Sequence, residues 1–444
     1  MSVATDENRY PTLTVHGKQM LDFMREHPCA PIFRNESGNR LTSEDLVKLG
    51  PHATRVTSAR IRNDGGDWIS NFIAKTYADV PYYRALGFAP ANLEHVPTIS
   101  RKDLSADIAR FVPDSISVKR MMHFQTSGTT GHPLLVPSHP QVAGRYLSYH
   151  KHALARFGVT PRNGKGEVGV ILLGYQKKCF TYVSVTPQMN ESGLAKINLH
   201  PNDWHDPDDR ARYLDAMAPE IIAGDPISFA ELLKLSLSHR PKALLSVAMM
   251  LTQGLRDELE RRFECPVLDI YSMNEVGPIG VFDPEIKAHI LLQDRLIVET
   301  LDETGIPVAP GDRGEITVTG GFNFCLPLLR YRTGDFGIIG EFGGEPIITG
   351  LQGRRAVRFK TATDEWLNNV DVSHALTGLP LSQFGLHQRE DGSLIFYASV
   401  KTPKIITKAR RVLADLFGGL PLDVELIEAE DKALQYTSDL EPPP

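Results

Sequence analysis

Apolar positions near the start of the chain recur at helical spacing, Met20, Leu21, Phe23 and Met24 in one run and Trp68, Ile69, Phe72 and Ile73 in another. The spacing predicts helices and loops over residues 1 to 110, forming a packing scaffold. From about 120 to 350, short runs rich in Val and Ile alternate with helical stretches. Glu167 to Leu173, Glu220 to Gly224 and Val267 to Tyr271 read as strands. Helices are predicted near Arg210 to Met217, Ala230 to Leu237 and Leu255 to Phe263. This βαβ alternation implies parallel sheet with helices on its faces.

Further on the period changes. Arg295 to Thr300 and Glu315 to Thr319 alternate apolar and polar residues around Gly305, Pro307, Pro310 and Gly311, which predicts antiparallel hairpins. A glycine-rich stretch, Gly340 to Gly353, precedes a last segment in which Leu394 to Val400 reads as a strand and Pro403 to Phe417 as a helix. The expected fold class is α/β. A large N-terminal domain, residues 1–352, would combine parallel sheets flanked by helices with a β-rich subdomain, and a small mobile α+β domain would occupy residues 353–444.

The 444 residues are 41% hydrophobic, enough for a sizeable core. A net charge of −6 supplies no global positive field for nucleic acid or anionic lipid, so neither is an expected partner. The four cysteines, Cys29, Cys179, Cys265 and Cys325, are widely spaced, which suits reduced thiols rather than a disulfide framework or zinc knuckle. The polar, acidic start of the chain lacks signal-peptide features, and no run approaches a membrane span, so a cytoplasmic location is expected.

The strongest chemical signal is Thr126-Ser127-Gly128-Thr129-Thr130-Gly131-His132-Pro133. Two glycines allow close backbone approach, and four hydroxyl residues with free N–H groups can converge on phosphate oxygens. The Walker-type loop is excluded, since neither Lys nor Arg occurs from Phe124 to Gly144 and Gly164-Lys165 has the wrong spacing. His200, Asp203, His205 and Asp206 read as turns and helix caps rather than as metal ligands. Tyr175, Phe180, Tyr182 and Gly224 are candidates for lining an aromatic-acid pocket.

With this loop the sequence resembles the adenylate-forming superfamily, and most nearly its phenylacetate-CoA ligase branch, over about residues 70 to 360. Val80-Pro81-Tyr82-Tyr83-Arg84 and Pro97-Thr98-Ile99-Ser100-Arg101-Lys102-Asp103-Leu104 match two upstream segments of that branch. Asp269-Ile270-Tyr271-Ser272-Met273-Asn274-Glu275 resembles the motif whose aromatic ring stacks on adenine and whose carboxylate reaches Mg²⁺. Leu329-Arg330-Tyr331-Arg332-Thr333-Gly334-Asp335 matches the segment whose Asp accepts hydrogen bonds from the ribose hydroxyls, and Gly353-Arg354 matches the interdomain hinge. The resemblance implies ATP and Mg²⁺ as cofactors. It makes Thr126, Ser127, Gly128, Thr129, Thr130, Gly131, Tyr271, Ser272, Asn274, Asp335 and Arg354 the nucleotide-binding set, and Glu275 both the metal residue and a catalytic one. Lys432, in Asp431-Lys432-Ala433, is the candidate for the C-terminal lysine that neutralises charge during adenylation.

The implied reaction converts a compact, aromatic carboxylic acid into acyl-AMP and pyrophosphate, then transfers the acyl group to coenzyme A. Several departures keep other readings open. Arg355-Ala356 stands where the hinge Asp is expected, Thr361 to Glu365 lacks the following glycine, Ser272 and Asn274 replace Gly and Thr, and Val247-Ala248-Met249-Met250 replaces a Gly-x-Glu-Pro wall. An amine, a carrier protein or nitrite is therefore weighed as the acceptor, a nucleotide-binding pseudoenzyme as a third reading, and a homodimer as one assembly. His289 and Asp294 read as structural.

Overall fold

The computed structural model of the chain describes residues 6–125, 134–162, 164, 166–248, 251, 253–352, 357–376, 379, 384–398, 403–426 and 436–440. These form two compact units, the larger drawn from 1–124, 136–174 and 180–354, the smaller from 125–135, 175–179 and 355–444.

In the larger unit the helix Val15–Glu26 is capped by Thr14, whose hydroxyl accepts from the Gly17 N–H, and it buries Met20, Leu21 and Met24. Phe23 departs from the expected face and is 47% exposed. It lies roughly 100° around the helix from the centre of that apolar stripe. The helix Ser43–Ser58 starts at a reciprocal Thr42/Asp45 capping box. Together with Pro140–Arg156 it contributes Val56, Val142, Tyr149 and Ala153 to a core that also holds Leu245, Leu268, Ile270 and Val281. A helix expected over Ala230 to Leu237 instead runs Pro226–Leu233. Asp225 accepts from the Ser228 N–H and Pro226 takes the first turn, so the cap, not the apolar period, sets its register.

Among the described residues thirteen strands are joined in one hydrogen-bonded series. Val168–Gly174 lies between Ser192–Asn198 and Ile221–Gly224, parallel to both, and Ala243–Ser246 and Val267–Met273 continue in parallel. Strands and helices alternate in the chain here, as a parallel crossover sheet requires. The direction changes at Val267–Met273, which pairs antiparallel with Gly277–Asp283. From there Ala288–Leu291, Glu345–Gln352, Leu328–Phe342, Gly314–Gly320 and Leu296–Leu301 follow in antiparallel order. The glycine-rich stretch is itself a hairpin. Gly343 and Gly344, at φ +61° and +81°, supply the two positive values that a tight primed turn needs, with Phe342 facing Glu345.

In the smaller unit Phe384–Gln388 pairs with Leu394–Ala398 and Tyr436–Ser438, and Leu422–Leu426 completes the sheet. The helix Pro403–Phe417 buries Ala409, Leu413 and Phe417, one every fourth residue. It ends where Gly418 turns to φ +72° and the Gly419 N–H reaches back to Ala414 O, closing the last turn. In the same unit, the Lys177 N–H donates to Asp371 Oδ1 at 2.6 Å and Lys177 Nζ to Leu416 O at 3.1 Å.

Candidate active site

Three of the motif segments converge within the larger unit. The first is the hairpin in which Val267–Met273 turns through Asn274, Glu275 and Val276 into Gly277–Asp283. Tyr271 and Ser272 end the strand partly buried, Asn274 is exposed, and Glu275 is only 3% exposed. The turn depends on Gly277 at φ +83°, where an added Cβ would overlap the Phe322 ring.

The second segment lies in the long strand Leu328–Phe342. Opposite it, Glu315 pairs with Phe336 but Thr317 with Arg332, so the long strand carries extra residues and bulges at Thr333, Gly334 and Asp335. Gly334 takes φ +81°, and its N–H donates to Glu315 Oε1 at 3.0 Å. The Asp335 N–H donates to Thr333 Oγ1 at 3.1 Å, while that hydroxyl donates to Ile316 O at 2.8 Å. The Asp335 carboxylate accepts from the Tyr271 hydroxyl at 2.8 Å. Tyr331 and Arg332 go to opposite faces, as the strand period requires. Arg332 Nε donates to Glu315 Oε2 at 2.7 Å, and the buried Tyr331 hydroxyl donates to Glu275 Oε1 at 3.2 Å.

The third is the upstream segment. Ile99–Ser100 pairs in parallel with Tyr331 and Arg332, and the helix Arg101–Ala106 begins at once from a Ser100/Asp103 capping box. This places Arg101 Nη1 3.9 Å from Glu275 Oε1. The other upstream motif braces the same strand, since the buried Tyr83 hydroxyl accepts from the Leu329 N–H at 3.0 Å.

Glu275 is thus a buried carboxylate between a cation and a phenol. Burial raises the pKa of the Tyr146 phenol, and the nearby Glu275 charge raises it further. Tyr271 is raised for the same reasons, burial first and then Asp335. His289 is also at this site, its ring 6.2 Å from that of Tyr271. Burial, then Arg256, pushes it down to about 4, so it is neutral at pH 7. Asp294 pairs with Arg55.

The loop residues Thr126, Ser127, Gly128, Thr129, Thr130 and Gly131 lie outside the described residues, as do Met249, Met250, Arg354, Arg355, Ala356 and Lys432. The flanks of the loop, Met122–Gln125 and Leu135–Ser138, pair as a two-stranded sheet. Phe180 and Tyr182 come together with ring centroids 5.6 Å apart, Phe180 being exposed, while Gly224 closes its strand against Leu173. Tyr175 belongs to the smaller unit. His200 caps a short turn by accepting from the Asn202 N–H, and Asp203 accepts from Asn198 Nδ2 at 2.7 Å. Among the described residues no group of three or more His, Cys, Asp or Glu side chains could hold a metal ion, and no helix is long and apolar enough to cross a membrane. Sequence reasoning did not single out Arg101 or Tyr331 as site residues, although each stands inside a quoted motif.

A single buried carboxylate held by Arg101 and Tyr331 suits Mg²⁺, which keeps most of its coordination for water and phosphate oxygens and takes one or two protein oxygens. Glu275 would hold it, and Mg²⁺ would supply charge neutralisation between phosphates.

No family model matches the chain. CapK of Staphylococcus aureus is 23% identical over 257 residues, 55% of this chain and 54% of CapK. Phenylacetate-coenzyme A ligase of Escherichia coli K12 is 35% identical over 88 residues, 19% of this chain and 20% of the ligase. The chain therefore spans about half the length of CapK, and less of the ligase. Among solved structures, 2-hydroxyisobutyryl-CoA ligase in complex with 2-HIB-AMP and CoA in the thioesterification state superposes with a TM-score of 0.52 at 17% identity. That match covers 89% of this chain and 90% of the other.

Proposed function

From a chain that has the fold of the adenylate-forming acyl-CoA ligases, with sequence matches in their phenylacetate-CoA ligase-like branch, we propose that it activates a compact aromatic carboxylic acid with ATP and passes the acyl group to coenzyme A. The observation that carries this reading is the convergence of Tyr271, Glu275, Arg101, Tyr331 and Asp335 from three segments far apart in sequence. A carboxylate oxygen of the acid attacks the α-phosphorus, the bond to pyrophosphate breaks, and acyl-AMP forms. The thiolate of coenzyme A then attacks the acyl carbon, and AMP leaves with the electron pair of the mixed anhydride.

No protein nucleophile is needed, so the chain's work is positioning and charge neutralisation. Tyr271 offers its ring to adenine and its hydroxyl to Asp335. The Asp335 carboxylate receives the ribose hydroxyls, and Ser272 and Asn274 line the nucleotide beside them. Glu275 would hold the metal, and Arg101 balances its charge. Thr126 to Gly131, Arg354 and Lys432 keep the roles the family resemblance assigns: phosphate cradle, hinge cation and adenylation lysine.

A pyrophosphate-release screen over aromatic and small aliphatic acids, with ATP and Mg²⁺, tests this reading. Release that depends on an aromatic acid, followed by its CoA thioester in mass spectra, is expected. Release with no acid in the panel would leave a nucleotide-binding protein without this chemistry. Acyl-AMP that passes to an amine, a carrier protein or nitrite instead of coenzyme A would move the proposal to the other acceptor class, which the Arg355-Ala356 hinge sequence favours.

A further inference from the structure

The turn that presents Glu275 is held by its backbone, and two buried carboxamides do the holding. Gln293, 1% exposed, donates from Nε2 to Val276 O at 2.8 Å and to Pro278 O at 2.7 Å. Asn323, 5% exposed, donates from Nδ2 to Glu275 O at 3.4 Å and to Pro137 O at 3.1 Å, while its Oδ1 accepts from the Cys325 N–H at 3.1 Å. Carbonyls 275, 276 and 278 are therefore all tied to side chains from other segments. Pro137 belongs to Leu135–Ser138, the strand that follows the Thr126 to Gly131 loop in the chain.

We propose that Asn323 and Gln293 are positioning residues for the Glu275 carboxylate, and that Asn323 sets it in register with the strand leaving the phosphate loop. This inference rests on the metal role given to Glu275 above. A β-turn carbonyl facing the interior needs a donor. Here a primary amide meets two carbonyls at once, which a hydroxyl or a single N–H does not do as well. Because the Glu275 side chain departs from the same few backbone atoms, a small rotation of the turn displaces its oxygens from any site shared with a triphosphate. A misplacement of that kind weakens metal binding more than nucleotide binding.

The test uses Gln293→Glu and Asn323→Asp, which keep size and replace a donor nitrogen with an oxygen, in the full-length chain. Three quantities are measured: the Mg²⁺ half-saturation of acid-dependent pyrophosphate release, ATP affinity by calorimetry without Mg²⁺, and thermal stability. Each variant is expected to raise the Mg²⁺ half-saturation about tenfold, a shift matching the loss of one or two hydrogen bonds. ATP affinity should change less than about threefold. In a Glu275→Gln background neither change should add a further shift, because residues acting through one group are not additive.

Magnesium titrations that overlay the wild type, or shifts that add in full to Glu275→Gln, would overturn the proposal. So would loss of the folded state in both variants, which would make the amides stabilising groups only. If Glu275→Gln alone leaves the titration unchanged, the metal assignment falls and the positioning role falls with it. If Glu275→Gln shifts the curve and neither amide variant does, only the positioning role falls.

Discussion

The Tyr271 hydroxyl donates to Asp335 Oδ2 at 2.8 Å, joining two residues 64 positions apart. One ends a strand of the parallel series, and the other occupies a bulge in the antiparallel series. The bond holds a flat ring and a carboxylate side by side, the pair that the proposed function assigns to a purine and its ribose. It also occupies part of the Asp335 acceptor capacity.

Substituting Asp335→Ala is expected to remove two charge-assisted hydrogen bonds to ribose, each worth roughly 1.5 to 3 kcal/mol. ATP binding should weaken by about two orders of magnitude or more. Tyr271→Phe keeps the ring and removes only the hydroxyl, so its loss should be about two- to tenfold. Calorimetry on the folded variants decides the matter, and unchanged ATP affinity in Asp335→Ala would rule out the ribose assignment.

Gly277→Ala is expected to be severe. The residue stands at φ +83°, and the new methyl would enter the Phe322 ring, which is buried in the main core. Backbone strain and overpacking together should cost about 2 to 5 kcal/mol. Denaturant unfolding measures it; a change below about 1 kcal/mol would show that the turn repacks freely.

Acid should destabilise the protein through two buried histidines. Burial lowers both His52 and His289 to about 4, against an ordinary 6.5. Arg55 Nη2 lies 3.1 Å from His52 Nδ1, and a guanidinium can only donate, so the imidazole proton sits on Nε2. Between pH 6.5 and 4 the unfolded chain takes up protons that the folded chain refuses. Their contribution is full above about pH 6.5 and is lost as pH falls towards 4. Asp269, raised to about 6 by burial, acts with the opposite sign, losing stability as pH rises from 3.8 to about 6. Subtracting the curve of a His52→Gln, His289→Gln variant cancels that term. Parallel curves for variant and wild type over this window would refute the assignment.

With ATP, acid and coenzyme A all present, acyl-AMP is expected to accumulate ahead of the thioester. Ala356 stands where the family resemblance expects a hinge Asp, and no glycine occurs from Lys360 to Glu365, so this chain lacks sequence features that the resemblance ties to the thioester-forming step. Ala356→Asp should then speed the second half-reaction and leave pyrophosphate release alone. Rapid-quench mass spectrometry would count against this if acyl-CoA appeared as fast as pyrophosphate.

Where neighbouring residues settle a structural question, the sequence alone was enough. Val267 to Tyr271 is a strand because four of its five residues, Val267, Leu268, Ile270 and Tyr271, are bulky and apolar in a run too short for a helix, and Pro403–Phe417 is a helix bounded by its own Pro and by Gly418-Gly419. Tyr271, Glu275 and Asp335 stand out as candidates in the sequence because they lie in short contiguous motifs. The helix Pro226–Leu233 was placed late because apolar periodicity outweighed the Asp225-Pro226 start. Tertiary structure alone decided that Arg101 meets Glu275 and that Tyr331 faces it from the next segment. The same holds for Gln293 and Asn323, buried amides whose carbonyl partners are 15 to 17 and 48 to 186 residues away. A local pattern records which way a side chain faces and how its own turn closes. It carries nothing about which distant carbonyl will need a donor, because that need arises only when the strands pair and water leaves the space between them.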